Sequence, residues 1–191
     1  MVDKNSDGRN SYYVETDNTP GGIPSGLYWR VKGSFVAYLT SMADGTCAIS
    51  DGADVDATGL FRFPAATAAN PGPDAWTLRF GGTVSFSGHF GALAIALARP
   101  TVEMTPAGGS LRASTGEPDG RRIRLATLRP ATPTRIGETL LWPPLAPVLT
   151  GEGSELFGGA YAPGLELDPL TIAIGVAALG VGGGAGSGVS G

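Results

Sequence analysis

A chain of 191 residues with 31 glycines and 15 prolines has room for one core but is punctuated too often for long helices, and its many short apolar runs read as a mainly β protein. Its net charge of −4 supplies no basic face, with arginines clustered only at Arg121, Arg122 and Arg124, so a nucleic-acid partner is not expected. Cys47 is the sole cysteine, which excludes an internal disulfide and any cysteine-built zinc or iron–sulfur site and reads as a small buried hydrophobe.

The amino terminus carries no charged-then-apolar signal pattern. Asp3, Asn5, Asp7 and Gly8 have the spacing of the start of a calcium loop, but the twelfth position is Val14 and Glu15 comes one residue late. That excludes a true EF-hand and leaves at most a loose calcium contact. Residues 1–22 are therefore expected to be a flexible segment, ending in a turn-rich lead-in around Pro20, Pro24 and Gly26. Apolar residues at Val31, Phe35, Tyr38, Leu39 and Met42 have the spacing of one helical face, and a strand over 27–31 followed by a turn or two of helix is expected. Ser34 and Tyr38, four apart, would then stand one turn above each other and present a hydroxyl and a phenol to one ligand.

Asp51, Asp54 and Asp56 read as a solvated turn between strands. Beyond them alternation dominates. Trp76, Leu78, Phe80, Val84 and Phe86 share one face, while Thr83, Ser85, Ser87 and His89 share the other. His89 thus falls at the glycine-flanked end of a strand, on its polar side. Further strands are expected over 93–97, with a stop at Pro100, and over 101–104, 110–113 and 122–128, with hairpin turns at 106–109 and 117–120. Residues 130–147 hold five prolines and read as an irregular covering loop. A helical turn over 151–159 and a strand over 165–174 follow. The apolar stretch 170–181 falls short of the ~20 residues that cross a bilayer and reads as a last strand running into a Gly/Ser tail.

By pattern alone Tyr38 is a core or rim residue, His89 a satisfied or exposed strand histidine, and Ser34 a helix cap. As the only histidine, His89 excludes bis-histidine haem ligation, multi-histidine zinc sites and a hydrolytic triad with a spare base. The sequence holds no G-x-S-x-G, H-E-x-x-H, phosphate loop or C-x-x-C, so an enzyme is not expected.

Several segments change that reading: S-F-V-A-Y-L at 34–39 within L-Y-W-R-V-K-G-S-F-V-A-Y-L, F-R-F-P at 61–64, S-G-H-F-G at 87–91 within 84–100, G-G-S-L-R-A at 108–113, and 155–171. Together, in this order, they resemble the HtaA family of actinobacterial haem-uptake domains over roughly 23–174. The resemblance implies that Tyr38 is the axial ligand of a ferric haem b iron. His89 supports it from behind, and Ser34 lines the pocket with a hydrogen bond to a propionate or within the site. Taken as a bare chemical possibility, His89 as the proximal ligand is the alternative.

A phenolate is a hard anionic donor suited to ferric iron, but the phenol's reference pKa of ~10 means that a neighbour must favour its ionised form. Phe90 and Ala94 depart from the family pattern, in which a smaller residue and an aspartate are common, and bear on the pocket's shape.

The expected protein is thus an antiparallel β-sandwich-like domain with one or two short helices over 23–176, preceded by the segment 1–22 and followed by the tail 177–191. The resemblance implies an extracellular or cell-surface place, transfer of haem to other haem-carrier or haem-transporter proteins, and allows a haem-mediated homodimer. The competing expectation is a cofactor-free β-sandwich adhesion or structural module.

Overall fold

The computed structural model describes residues 23–72, 74–115 and 120–178. The calcium-loop-like motif at Asp3, Asn5 and Asp7, the tail at 182–191 and most of the turn at 117–120 lie outside them.

In chain order the strands are β1 (Gly26–Trp29), β2 (Thr46–Ser50), β3 (Asp54–Val55), β4 (Phe61–Gly72), β5 (Ala75–Phe80), β6 (Thr83–Gly88), β7 (Leu93–Thr105), β8 (Gly108–Ser114) and β9 (Arg122–Leu128). The short β10 (Thr134–Ile136), β11 (Thr139–Leu141) and β12 (Val148–Leu149) precede β13 (Leu170–Gly175). Helix α1 (Gly33–Ser41) follows β1, and α2 (Gly151–Leu156) follows β12. The protein is mainly β, with every pairing antiparallel.

A single path runs β10-β11-β13-β1-β4-β5-β7-β8-β9-β12, with β2 and β6 attached through β7 and β3 through β4. Two long strands let this sheet curl. The first half of β4 pairs with β1 and its second half with β5. Likewise β7 pairs first with β6 and then with β5 and β8. The curl closes on one continuous core that includes Trp29, Phe63, Phe86, Leu125, Trp142 and Ile172. Burial of such side chains contributes about 1.5–3 kcal/mol each and holds the sheet's two ends against each other.

Three expectations are revised. Pro100 does not end a strand: β7 runs through it, because the register shifts between Ala98 and Thr101 and Arg99 takes a φ of 46°. A bulge is where a strand tolerates proline, since no ladder N–H is required there. Residues 130–147 are not wholly irregular. Their prolines bracket a proline-free hairpin, β10–β11, turned at Gly137 with φ 58° and joined to β13. The last strand begins at Leu170 rather than 165: Pro169 offers no N–H to a ladder and the carboxylate of Asp168 is bonded to the start of α1.

Candidate functional site

Helix α1 has no side-chain cap of its own; its N-cap is Lys32. Asp168 supplies what is missing. Its carboxylate accepts the Gly33 N–H at 2.7 Å and lies 3.3 Å from the Lys32 ammonium, while its carbonyl accepts the Trp29 indole N–H at 2.7 Å. An anion at a helix start satisfies an orphan donor and favours the dipole. Ser34 is therefore not the cap, and its hydroxyl has no hydrogen-bond partner among the described residues.

The helix buries Phe35 and Leu39. Phe35 packs edge-on against Phe86 at 5.2 Å and Phe157 at 5.5 Å between ring centroids. Fixing that apolar face turns Ser34 and Tyr38 outward, one turn apart as the spacing predicts. The Tyr38 side of the helix stays open: the residue is 50% exposed.

Strand β6 delivers the second component. Its last residue, Gly88, lies against the end of α1 so closely that a Cβ there would sit 2.5 Å from Met42 Cε. After it, His89, Phe90 and Gly91 take φ values of 51°, 53° and 89°, a left-handed run that is costly for the first two residues. The Asp44 carboxylate accepts the Phe90 N–H, and the Ala92 N–H donates to the His89 carbonyl at 3.1 Å. This turn aims the imidazole at α1, where His89 Nε2 and Tyr38 Oη are hydrogen-bonded at 2.8 Å. The Ser41 hydroxyl holds the Tyr38 carbonyl at 2.6 Å.

Beside His89 a cleft of about 310 Å³ opens between residues 92–95 and the end of α2, Glu155 to Gly158. Its walls mix Leu93, Ile95, Leu156 and Phe157 with the two polar groups of His89 and Glu155, the lining expected of a site for a largely apolar ligand. Phe90, next to His89 in the turn, is 96% exposed. In place of a larger side chain, Ala94 lines the cleft itself, so one of the two departures from the family pattern falls where a ligand would touch.

The cysteine and the acids that the sequence singles out have structural surroundings. Burial pushes the Cys47 thiol up to about 11, which keeps it protonated and a poor metal ligand at neutral pH. Asp54 pairs with Arg62, whose Nε lies 2.8 Å from the carboxylate, and Asp51 accepts the Thr83 hydroxyl at 2.8 Å. Asp56 closes its own turn through Thr58 and Leu60, bonds that hold its carboxyl below the usual range. The turn is where the sequence puts it, but these acids are structural rather than merely solvated.

The structure thus brings Tyr38 and His89 into contact and sets Ser34 one turn away on the same helix. Sequence reasoning missed Asp168, Asp44, Leu156 and Phe157. Asp168 stands 135 positions from the N–H it caps, and no local pattern marks it.

The family model for the HtaA domain matches residues 25–173. The chain belongs to the HtaA family. Its fold is shared with the C-terminal domain of HtaA from Corynebacterium glutamicum, at 24% identity and a TM-score of 0.64, over 80% of this chain and 96% of that one. The N-terminal domain of the same protein is similar at 22% identity and 0.63, over 80% and 99%. The heme binding protein HtaB from that organism follows at 20% identity and 0.58, over 78% and 90%. No curated protein matches the chain at a significant level. In this HtaA domain the family match spans α1, the His89 turn and α2 together.

Proposed function

We propose that this HtaA domain binds one ferric haem b with Tyr38 as its axial ligand, outside the cell or at its surface, and passes it to other haem carriers or transporters. The observation that carries the reading is the 2.8 Å contact between a half-exposed phenol and the chain's only imidazole, beside a cleft with apolar walls. The residues fit the group. Haem iron already has four porphyrin nitrogens and needs from the protein one donor, and a hard oxygen anion suits the ferric state.

Haem would supply a Lewis-acidic iron and a large apolar plane with two carboxylates. Everything else falls to the protein's residues. With His89 as the Nδ1–H tautomer, the Tyr38 O–H donates to His89 Nε2. When Tyr38 gives up its proton, Nε2 is the acceptor within reach, and its N–H then donates back to the phenolate oxygen. A hydrogen bond to the charged form favours that form. Leu93, Ile95, Leu156 and Phe157 offer apolar contact, and the Ser34 hydroxyl remains available for a propionate. Binding through one protein ligand at an open rim also favours release to an acceptor, because only one iron–protein bond must break.

Titration of the protein with hemin, read by absorption and resonance Raman spectra, tests the reading. Saturation near one equivalent with a tyrosinate signature is expected. Tyr38→Phe keeps the ring's packing and removes the oxygen, so it should fold normally and lose that signature with most of the affinity. An unchanged spectrum in Tyr38→Phe would reassign the ligand, and no saturable Soret change in the parent would return the cofactor-free surface module. The same complex run on a sizing column with light scattering reads whether haem pairs two copies.

A further inference from the structure

A second feature lies on the outer face of the sheet, about 25 Å along β7 from Leu93 at the ~3.3 Å rise of a strand residue. The register sets Arg79 of β5 beside Thr101 of β7, Thr101 beside Arg112 of β8, and Arg112 beside Arg124 of β9. Directly paired residues share a face, so these four form one row across four adjacent strands. Arg122 joins it: its guanidinium donates to the buried Thr101 hydroxyl and to the Arg99 carbonyl at 3.2 Å. Arg99 stands at the β7 bulge beside it. Five arginines from four strands thus gather in a chain whose net charge is −4.

Little among the described residues neutralises them. Among the described residues, the carboxylates in contact with this face are Glu103 and Glu152. Glu103 lies 3.6 Å from Arg112 Nε, and Glu152 is engaged by the Arg121 guanidinium and by the Arg124 backbone N–H at 2.9 Å. Among the described residues the side chains of Arg79, Arg99 and Arg124 make no hydrogen bond or ion pair. Arg112 Nε is buried without a hydrogen-bond partner, its distance to Glu103 being too long for one. Burial first, then the charges of Arg79, Arg99 and Arg112, push the Arg122 pKa down, which marks the row as self-repelling. A cleft of about 370 Å³ continues from its end, lined by Glu103, Ser110, Arg124 and Thr127 over the bare backbone of Gly108 and Gly109.

Guanidinium forks match the paired oxygens of phosphate and carboxylate groups. Four strands at ~4.8 Å spacing spread the row over about 14 Å. A single phosphate or a small dicarboxylate would engage one end of it only. We propose that this face binds a ligand carrying several phosphate groups in series, laid across the strands from Arg79 to Arg124. The site does not rest on the haem reading and shares no residue with it.

Isothermal titration of the full chain with tripolyphosphate at low salt tests this. Saturable binding is expected, weakened at least tenfold in the double variant Arg79→Gln, Arg124→Gln, whose side chains hold nothing else in place, and weakened in the parent as salt rises. Arg112→Gln should act in the same direction. Hemin titration of the double variant should be unchanged, so failure of either reading shows separately. No saturable binding, or equal affinity in the double variant, overturns the proposal.

Vesicles with and without phosphatidylglycerol distinguish the source. Protein held by the anionic vesicles and released by tripolyphosphate supports a lipid headgroup at this site, whereas tripolyphosphate binding with no vesicle binding supports a soluble polyphosphate. Vesicle binding that survives in the double variant, or tighter binding of a duplex oligonucleotide than of tripolyphosphate, overturns it.

Discussion

At the scale of single residues, Tyr38 and His89 divide the work by distance. Tyr38 stands half-exposed on a fixed helix face, and His89, also exposed, is held against it by a turn that Asp44 and Ala92 brace; on the proposed reading the first is the ligand and the second its partner. His89→Ala should therefore leave an iron–tyrosinate bond at neutral pH but weaken haem binding by roughly 10- to 100-fold, the usual loss for removing a ligand's supporting partner. Resonance Raman of the variant complex checks it: loss of the tyrosinate bands with Tyr38 intact would mean that His89 is the ligand or that the phenolate cannot form without it.

Cys47 gives a prediction in pH. Its thiol is raised to about 11 because burial disfavours the thiolate, so the stability linked to it is fully present below the unfolded value and lost as pH rises through the folded one. Alkylation of Cys47 at pH 8 should run well behind that of a free thiol and accelerate as pH climbs toward 11. A rate equal to that of a free thiol at pH 8 would contradict the burial argument.

At the scale of elements, α1 is only Gly33–Ser41, short enough that its own propensity does not secure it. Its position comes from Phe35 and Leu39 in the core and from Asp168 at its start. Asp168→Ala removes the acceptor of the Gly33 N–H and the partner of Lys32, and should cost about 1–3 kcal/mol in unfolding free energy. Haem affinity should fall as well, since Tyr38 loses its fixed bearing toward His89. Denaturant unfolding and hemin titration of this variant check both, and an unchanged hemin affinity would show that the helix is placed by its core face alone. The helix itself was readable: a 3.6-residue period over Val31 to Met42 is a local signal, and so is the left-over polar face bearing Ser34 and Tyr38. Its cap was not, because the missing group arrives from the far end of the chain. The strand through Pro100 misled for a related reason. A proline reads as a stop until the bulge at Arg99 removes the need for an N–H at that position.

For the whole molecule, a ligand that bridges α1, the β6 turn and the end of α2 ties together segments far apart in sequence. Hemin at about 100 times its dissociation constant should stabilise the domain by about 2.7 kcal/mol, a rise of roughly 5–10 °C in Tm for a domain of this size. Thermal unfolding with and without hemin measures it, and Tyr38→Phe should abolish the shift.

The sequence by itself determined the mainly β class, through glycine and proline punctuation and period-2 alternation. It also determined the helical spacing of Ser34 and Tyr38 and put His89 near the end of β6, whereas the strand stops at Gly88 and a left-handed turn, not strand alternation, aims the ring. These are local matters of backbone geometry, legible from residues a few positions apart. That Tyr38 and His89 belong to one site came from family resemblance rather than from any pattern within the chain. Only the tertiary structure decided their 2.8 Å contact, the capping of α1 by Asp168 and the cleft beside α2. It alone assembled Arg79, Arg112 and Arg124 into a row, because register across three strand pairings and two shifted ladders is set by how the curled sheet closes on its core.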